Sequence, residues 1–221
     1  MKVVIIGANG GTGRLAVAQA LARGHQVVAY VRQAGALLDQ PGLQIMVGKL
    51  SDVAALKTSL QGADAVLCCL GPKVSLQGFV RPQVLMQTNV PFIIQAMEQA
   101  QVKRLVLLSA YGVGAWAKTA GLVFRILFKT ACATAYADKV ASEAVLSKSG
   151  LEWTCVYPPL LTDEAPSGDI EVHAFEQVAS VLGTPKVSRA DVATAMLMAA
   201  ADPSTIGQRL LVSSRGSVKC K

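Results

Sequence analysis

The chain has 221 residues, of which 52% are hydrophobic and 16% are charged, and this composition excludes a disordered protein. The net charge of +7 favours anionic partners. The basic residues are nevertheless spread along the chain, without a basic run or an aromatic stripe. We therefore expect a basic solvated surface and a small-molecule partner, and no nucleic acid.

The cysteines and the N-terminal residues indicate a cytoplasmic protein. Five cysteines occur without C-x-x-C spacing, which fits reduced thiols. The chain begins with a strand and has no apolar signal segment, so we expect no secretory signal. Arg125 and Lys129 interrupt the apolar segment 119–137, so we also expect no membrane span. With two histidines and no Cys/His cluster, a structural metal site is not expected.

Strands and helices alternate along the chain. Apolar runs predict strands over 2–7, 26–32, 43–50, 64–71, 103–110 and 151–159, with a last edge strand over 208–214. Helical spacing predicts helices over 13–24, 51–63, within 81–102 near Pro91, and over 134–150 and 188–202. Ser51 or Asp52 and Ser188 are candidate N-caps. The order predicts an α/β fold, a Rossmann-like doubly wound parallel sheet with helices on both faces, in one domain over 1–221.

The segment "GANGGTGR" over residues 7–14 joins the first strand to the first helix. Gly7 permits a sharp turn, Gly10 and Gly11 let the backbone approach a pyrophosphate, and Gly13 allows close packing of the helix on the strand. The open N–H groups of the first helical turn then face the phosphates. The polar side chains in this segment are further cofactor candidates: Asn9, Thr12 and Arg14. The alternative is a structural turn without a ligand.

The end of the second strand indicates which dinucleotide binds. Dinucleotide-binding proteins that take NAD place an acidic residue about 20 positions after the loop, where it binds the ribose 2′-hydroxyl. This chain has Arg32 there, and a guanidinium fits a 2′-phosphate. We therefore expect NADP(H) in preference to NAD(H), against the alternative of a solvated arginine at a strand end.

These segments carry a family resemblance together with "YVRQ" (30–33), "CCLGP" (68–72), "LLSAYGV" (107–113), "DKVASEAVLSKSGLEWT" (138–154) and "VYPPLLTD" (156–163). The chain resembles the atypical short-chain dehydrogenases of the NAD(P)H-binding, NmrA-like group. Within that group it is most similar to the flavin reductase/biliverdin-IXβ reductase type. The resemblance runs nearly from end to end, and its N-terminal motifs are the more specific ones.

The resemblance implies roles for residues beyond the glycine loop. It places the segment after the fourth strand beside the ribose and phosphates, Ser109 near the nicotinamide, and Lys139 beside the nicotinamide ribose. The remaining implied cofactor contacts are Lys49 and Leu50 near the adenine, Leu70, Gly71 and Pro72 after the fourth strand, and Tyr157, Pro158 and Pro159 near the nicotinamide. Lys49 stands where many relatives have an aspartate, and Leu160 where the flavin reductase type tends to have a histidine.

The candidate catalytic residues are Ser109, Tyr136 and Lys139. Ordinary short-chain dehydrogenases use Tyr-x-x-x-Lys, in which the lysine lowers the pKa of the tyrosine so that it acts as a general acid. Here the spacing is Tyr-x-x-Lys, which still places both side chains on one helix face. A flavin or quinone ring delocalises the charge it accepts, so such acceptors depend less on a protein acid than simple ketones do.

The sequence therefore predicts an NADPH-dependent oxidoreductase that transfers hydride to a flavin, a quinone or a similar flat acceptor. The acceptor site is expected in segments 111–135 and 157–187, with apolar contacts from Trp116, Phe124, Leu127 and Phe128, and with Arg125 or Lys129 at an anionic group. Glu171 and His173 are expected to be surface residues. The alternatives are an NADP(H)-binding redox sensor without turnover and an epimerase- or dehydratase-like enzyme on a nucleotide sugar. A monomer or weak homodimer is expected.

Overall fold

The computed structural model describes residues 1–35, 37–71, 84–121, 125–126, 130 and 132–221. The strands are β1 (Lys2–Ile6), β2 (Gln26–Val31), β3 (Leu43–Val47), β4 (Ala65–Cys68), β5 (Arg104–Leu108), β6 (Glu152–Tyr157), β7 (Leu160–Thr162), β8 (Ile170–Ala174), β9 (Val178–Val181), β10 (Lys186–Ser188), β11 (Arg209–Ser214) and β12 (Val218–Cys220). The helices in the described ranges are α1 (Gly11–Ala22), α2 (Val53–Leu60), α3 (Leu85–Gln99), α4 (Ala133–Leu146) and α5 (Arg189–Ala201).

Eight strands form the central sheet in the order β3-β2-β1-β4-β5-β6-β11-β8. All neighbours are parallel except β8, which runs antiparallel to β11. Strands β7 and β10 form a separate parallel pair, and β9 and β12 an antiparallel one. This topology confirms the predicted Rossmann-like α/β fold.

Both faces of the sheet are covered, which explains why its central strands are continuous apolar runs. In β1, Val3 and Ile5 pack with helices α1 and α5, whereas Val4 and Ile6 pack with α2, α3 and α4. All four side chains are buried. The two layers fix the sheet rigidly under the loops that follow its strands.

The expectation that residues 208–214 form an edge strand is wrong. Strand β11 lies inside the sheet, between β6 and β8. Strand β8 covers it and forms the edge in its place, with the polar side chains of Glu171 and His173, a composition typical of edge strands. After β7, residues 163–168 form an exposed segment.

The helix starts show which caps the chain uses. Asp52 accepts a hydrogen bond from Ala55 N, and Ser188 accepts one from Asp191 N, as the sequence predicts. Helix α3, which contains Pro91, has no side-chain cap of its own. The buried carboxylate of Asp138 in α4 accepts from Met86 N at 2.9 Å and from Gln87 N at 2.8 Å. The charge of α4 therefore complements the dipole of α3 and joins the two helices.

Within the described residues no helix is long and apolar enough to cross a membrane. The same part of the chain contains no group of three or more His, Cys, Asp or Glu side chains that could hold a metal ion. All five cysteines are free thiols.

The buried Arg104 ties the sheet to helix α5 at the amino ends of β5 and β6. Its guanidinium donates to Glu152 O at 2.7 Å, Thr154 Oγ1 at 2.8 Å, Ala199 O at 2.5 Å and Thr205 Oγ1 at 2.7 Å. Burial lowers the pKa of Arg104. One side chain thus binds four acceptors, and one of them is a C-terminal carbonyl of α5 that also accepts from Asp202 N and Thr205 Oγ1.

We expect Arg104→Leu to lower the free energy of unfolding by about 2–4 kcal/mol, because four acceptors would each lose one hydrogen-bond donor. Urea unfolding followed by far-UV circular dichroism measures this change. The control is Lys103→Leu, since this neighbour is exposed and its replacement should change stability by less than about 0.5 kcal/mol. Equal effects of the two substitutions would contradict an anchoring role for Arg104.

Candidate cofactor and active site

The predicted site residues gather at the carboxyl ends of the parallel strands. Gly7 follows β1, Arg32 follows β2, Leu70 follows β4 by one residue, Ser109 follows β5 and Pro158 follows β6. Strand β1 has β2 on one side and β4 on the other, so the strand order reverses at β1. In open α/β sheets such a switch point is where ligands bind.

The glycine loop is held by backbone packing that tolerates no side chain. Gly7 has a φ of +79°, and a Cβ on it would lie 2.9 Å from Cys69 O. A Cβ on Gly13 would overlap the carbonyl of Gly7. Gly10 N donates to Gly7 O at 2.9 Å and closes the turn. The loop therefore brings the start of α1 directly against the end of β1.

The first turn of α1 offers backbone donors to a ligand. Gly10 is the N-cap residue, no side chain caps the helix, and its first turn holds no acidic residue. The first backbone bond of the helix runs from Arg14 N to Gly10 O at 2.9 Å. The preceding N–H groups, including that of the buried Thr12, thus point out of the helix end, where the dipole favours an anion.

Asn9 joins the glycine loop to the segment that carries Arg32. Its Nδ2 donates to Gln33 O at 2.9 Å. Its Oδ1 is buried and has no hydrogen-bond partner among the described residues. An unsatisfied buried acceptor beside a glycine cradle fits a ligand that carries hydroxyl or amide donors. The residues present therefore fit a dinucleotide.

The other predicted cofactor residues lie around this loop. Lys49 and Leu50 follow β3, and the hydroxyl of Tyr30 donates to Lys49 O at 3.0 Å. Leu70 is half-buried, and Arg14, Arg32 and Lys49 are exposed, as is Gly71. Pro72 lies outside the described residues.

The half-buried carboxylate of Glu143 connects two of the predicted residues. Ser109 Oγ donates to Glu143 Oε1 at 2.5 Å, and the Tyr157 hydroxyl donates to Glu143 Oε2 at 2.7 Å. Burial raises the pKa of Tyr157, so its hydroxyl stays protonated and remains a donor. Sequence reasoning missed Glu143. Its only local signal is its position four residues after Lys139, which places both side chains on one face of α4.

Lys139 lies beside this carboxylate at the end of β5. It is buried, and its Nζ donates to Leu108 O at 3.3 Å. Burial lowers the pKa of Lys139, and the negative charge of Glu143 opposes that shift. The structure therefore brings Ser109, Lys139 and Tyr157 together around Glu143, at the carboxyl ends of β5 and β6.

Tyr136 has different surroundings. Its hydroxyl donates to Tyr111 O at 2.8 Å. Burial raises the pKa of Tyr136, the opposite of the lowering that a short-chain dehydrogenase tyrosine needs. Its catalytic role stays a prediction, and the geometry favours Ser109 and Lys139.

A cavity of about 300 Å³ opens next to the Glu143 carboxylate. Glu143, Tyr157, Trp116, Phe175 and Arg209 are among its lining residues. The ring centroids of Trp116 lie 4.7 Å from Phe175 and 5.2 Å from Tyr157. The cavity thus combines flat apolar walls with one cationic and one acidic group.

The cavity lies partly in the expected acceptor segments. Trp116 contributes to the lining, and the basic residue among the described lining residues is Arg209, whereas Arg125 is not one of them. Phe124, Leu127, Phe128 and Lys129 lie outside the described residues. Glu171 and His173 lie in the edge strand β8 and are only partly exposed, with His173 Nε2 3.3 Å from Glu171 Oε2.

Comparison with known proteins agrees with this geometry. The sequence matches the NAD(P)H-binding family over residues 7–203. An uncharacterised chloroplastic protein of Arabidopsis thaliana is 29% identical over 175 residues, which are 76% of this chain and 62% of that relative. The chain therefore spans less than two thirds of the length of that relative.

Solved structures share the fold across almost the whole chain. A short-chain dehydrogenase/reductase of Veillonella parvula, solved in complex with NADP, is 17% identical with a TM-score of 0.80, covering 99% of this chain and 96% of that one. An anaerobillin reductase of Escherichia coli O157:H7 is 23% identical with a TM-score of 0.76, covering 98% of each chain. With the family profile extending from the glycine loop through α5, the chain belongs to the NAD(P)H-binding family, as the sequence resemblance predicted.

Proposed function

We propose that the protein is an NADPH-dependent oxidoreductase that delivers hydride to a flavin, a quinone or a similar flat conjugated acceptor. The observation that carries this proposal is the cluster of Ser109, Lys139 and Tyr157 around Glu143, beside a cavity with aromatic walls. The anaerobillin reductase of similar fold supports reductase chemistry. The cytoplasmic location remains our prediction.

The glycine loop and the strand ends would hold the cofactor. The N–H groups at the start of α1 would bind its pyrophosphate, Arg32 its 2′-phosphate, and Ser109, Lys139 and Pro158 would border its nicotinamide. When bound, the reduced nicotinamide supplies the hydride. The protein's part is to orient both reactants and to exclude water between them.

Ser109, Lys139 and Glu143 would control protons in this site. The Ser109 hydroxyl proton faces Glu143 Oε1, and the Lys139 ammonium is held by Leu108 O. A carboxylate that accepts from both Ser109 and Tyr157 fixes these hydroxyls in one orientation. An acceptor whose ring delocalises negative charge then needs only a positioned donor and not a strong acid.

The cavity favours a flat acceptor with an anionic substituent. Trp116 and Phe175 provide ring surfaces in an edge-to-face arrangement. Trp116 Nε1 is buried and has no hydrogen-bond partner among the described residues, so it is free to donate to a bound carbonyl. Arg209 supplies the positive charge at the cavity wall. FMN combines these features in its flat isoalloxazine ring, its ring carbonyls and its anionic phosphate, whereas a quinone supplies the flat ring and the carbonyls.

One observation favours a second candidate function, an NADP(H)-binding sensor without turnover. Tyr136 lacks the lowered pKa of a dehydrogenase acid. Binding of NADPH without oxidation by any acceptor would identify the sensor.

The first test measures NADPH oxidation, by its absorbance, with FMN, FAD and a small quinone offered in turn. We expect turnover, and we expect Glu143→Gln to lower kcat about 100-fold, because an amide offers one acceptor oxygen where the carboxylate offers two, so the hydroxyls of Ser109 and Tyr157 are no longer both held. The matched control is Glu98→Gln, at an exposed position of α3. Binding of NADPH with no turnover on any acceptor would reject the reductase and leave the sensor.

A second test concerns the choice of cofactor. We expect Arg32→Gln to weaken NADPH binding about 10- to 100-fold, because a charge-assisted contact with the 2′-phosphate is lost. Binding of NADH, which lacks this phosphate, should change less than about 3-fold and serves as the internal control. Fluorescence titration of the reduced cofactors measures both. Equal losses for the two cofactors would show that Arg32 does not select NADPH.

A third test uses the lowered pKa of Lys139. Between this pKa and the ordinary value of 10.5, the unfolded chain binds more protons than the folded one, so stability rises with pH. Relative to Lys139→Met, the wild-type protein should gain stability as the pH rises towards 10.5, by at most about 1.4 kcal/mol per pH unit. Urea unfolding at several pH values measures the gap in the free energy of unfolding between the wild type and Lys139→Met. Lys148→Met, at an exposed position, is the control. A gap that does not change with pH would contradict a buried, pKa-shifted Lys139.

A further inference from the structure

The side chain of Arg189 lies on the start of helix α1. Arg189 is the first residue of α5, and its Nε and Cδ lie 2.7 Å and 2.8 Å from the position that a Cβ on Gly11 would take. With a glycine at residue 11, the arginine side chain can lie directly on the backbone of the helix start. This contact places a cation from the C-terminal part of the chain beside the uncapped N–H groups of the glycine loop.

The N–H donors of this guanidinium have few acceptors among the described residues. Arg189 Nη1 is buried and has no hydrogen-bond partner among the described residues. Arg189 Nε lies 3.5 Å from Asp163 Oδ1, but the Asp163 side chain is 87% exposed. Ion pairs with so exposed a carboxylate contribute little. A guanidinium has five N–H donors, and a buried donor without an acceptor is unfavourable unless a ligand supplies one.

The backbone that carries Arg189 is firmly held. Ser188 caps α5 by accepting from Asp191 N. The Asp191 carboxylate in turn accepts from Ser167 N at 2.9 Å, Gly168 N at 3.1 Å and the Ser188 hydroxyl at 2.8 Å. The pairing of Thr162 in β7 with Ser188 in β10 places the next residues, Asp163 and Arg189, side by side. Asp163 therefore lies within reach of Arg189 while its side chain stays exposed.

We propose that Arg189 is a pyrophosphate-binding residue, which exchanges its ion pair with Asp163 for the diphosphate of the dinucleotide. This inference rests on the proposed cofactor site and adds to it a residue from the opposite end of the sequence. A guanidinium forms bidentate hydrogen bonds with phosphate oxygens more readily than a lysine does. Arg32 and Arg189 then have separate targets, the 2′-phosphate and the pyrophosphate.

The test measures NADPH affinity by fluorescence titration for the wild-type protein and four variants. We expect Arg189→Gln to weaken binding about 10- to 100-fold, and Arg189→Lys to be intermediate. Asp163→Asn should leave binding unchanged or tighten it by up to about 5-fold, because it removes the competing carboxylate. The matched control is Arg23→Gln, which removes the same charge at the far end of α1 and should change nothing.

A second ligand separates a phosphate contact from a structural role. Adenosine 2′-monophosphate has no pyrophosphate, so Arg189→Gln should leave its binding unchanged while NADPH binding falls. A loss with both ligands, or with Asp163→Asn as well, would overturn the inference in favour of a structural ion pair. If the wild type binds NADPH and neither Arg189→Gln nor Arg189→Lys changes the affinity, the role of Arg189 is overturned and the proposed function is not. If the wild type does not bind NADPH, the proposed function itself is overturned.

Discussion

The close packing of α1 on β1 is the constraint on which the site depends. Gly13 lies against the Gly7 carbonyl, and Gly7 lies against Cys69 O at the end of β4. Because no Cβ fits at either place, the helix end sits directly at the strand switch point. The remaining contacts of this edge, from Asn9 to Gln33 and from Arg189 to Gly11, follow from that position.

Helix α4 organises the other half of the edge through three acidic and basic side chains. Asp138 binds the start of α3, while Lys139 and Glu143 face the ends of β5 and β6. Adjacent residues of a helix point about a quarter turn apart, so one short segment serves both a neighbouring helix and the sheet. The residue that caps α3 and the residues of the candidate site are therefore held by the same helix.

The sequence is enough to predict the parts of the fold that depend on local pattern. Apolar runs gave the buried strands, and side-chain oxygens before helices gave the caps at Asp52 and Ser188. Non-local pairing was not predictable in this way. Strand β11 is internal because a polar strand returns beside it, and Glu143 owes its position to Ser109, 34 residues earlier in the chain. Neither relation leaves a periodic signal. The assignment of cofactor and catalytic residues remains a prediction.

Helix α5 is held at both ends, with Arg104 at the carbonyl of Ala199 and Ser188 at its start. A helix of 13 residues spans about 20 Å, so one anchor lies at the amino ends of the strands and the other at their carboxyl ends. Helix α5 connects these two anchors, and its length sets where the Arg189 side chain meets the glycine loop. Substitutions at the amino ends of β5 and β6 that displace this helix would therefore move the Arg189 side chain relative to the glycine loop, from the opposite end of the sheet.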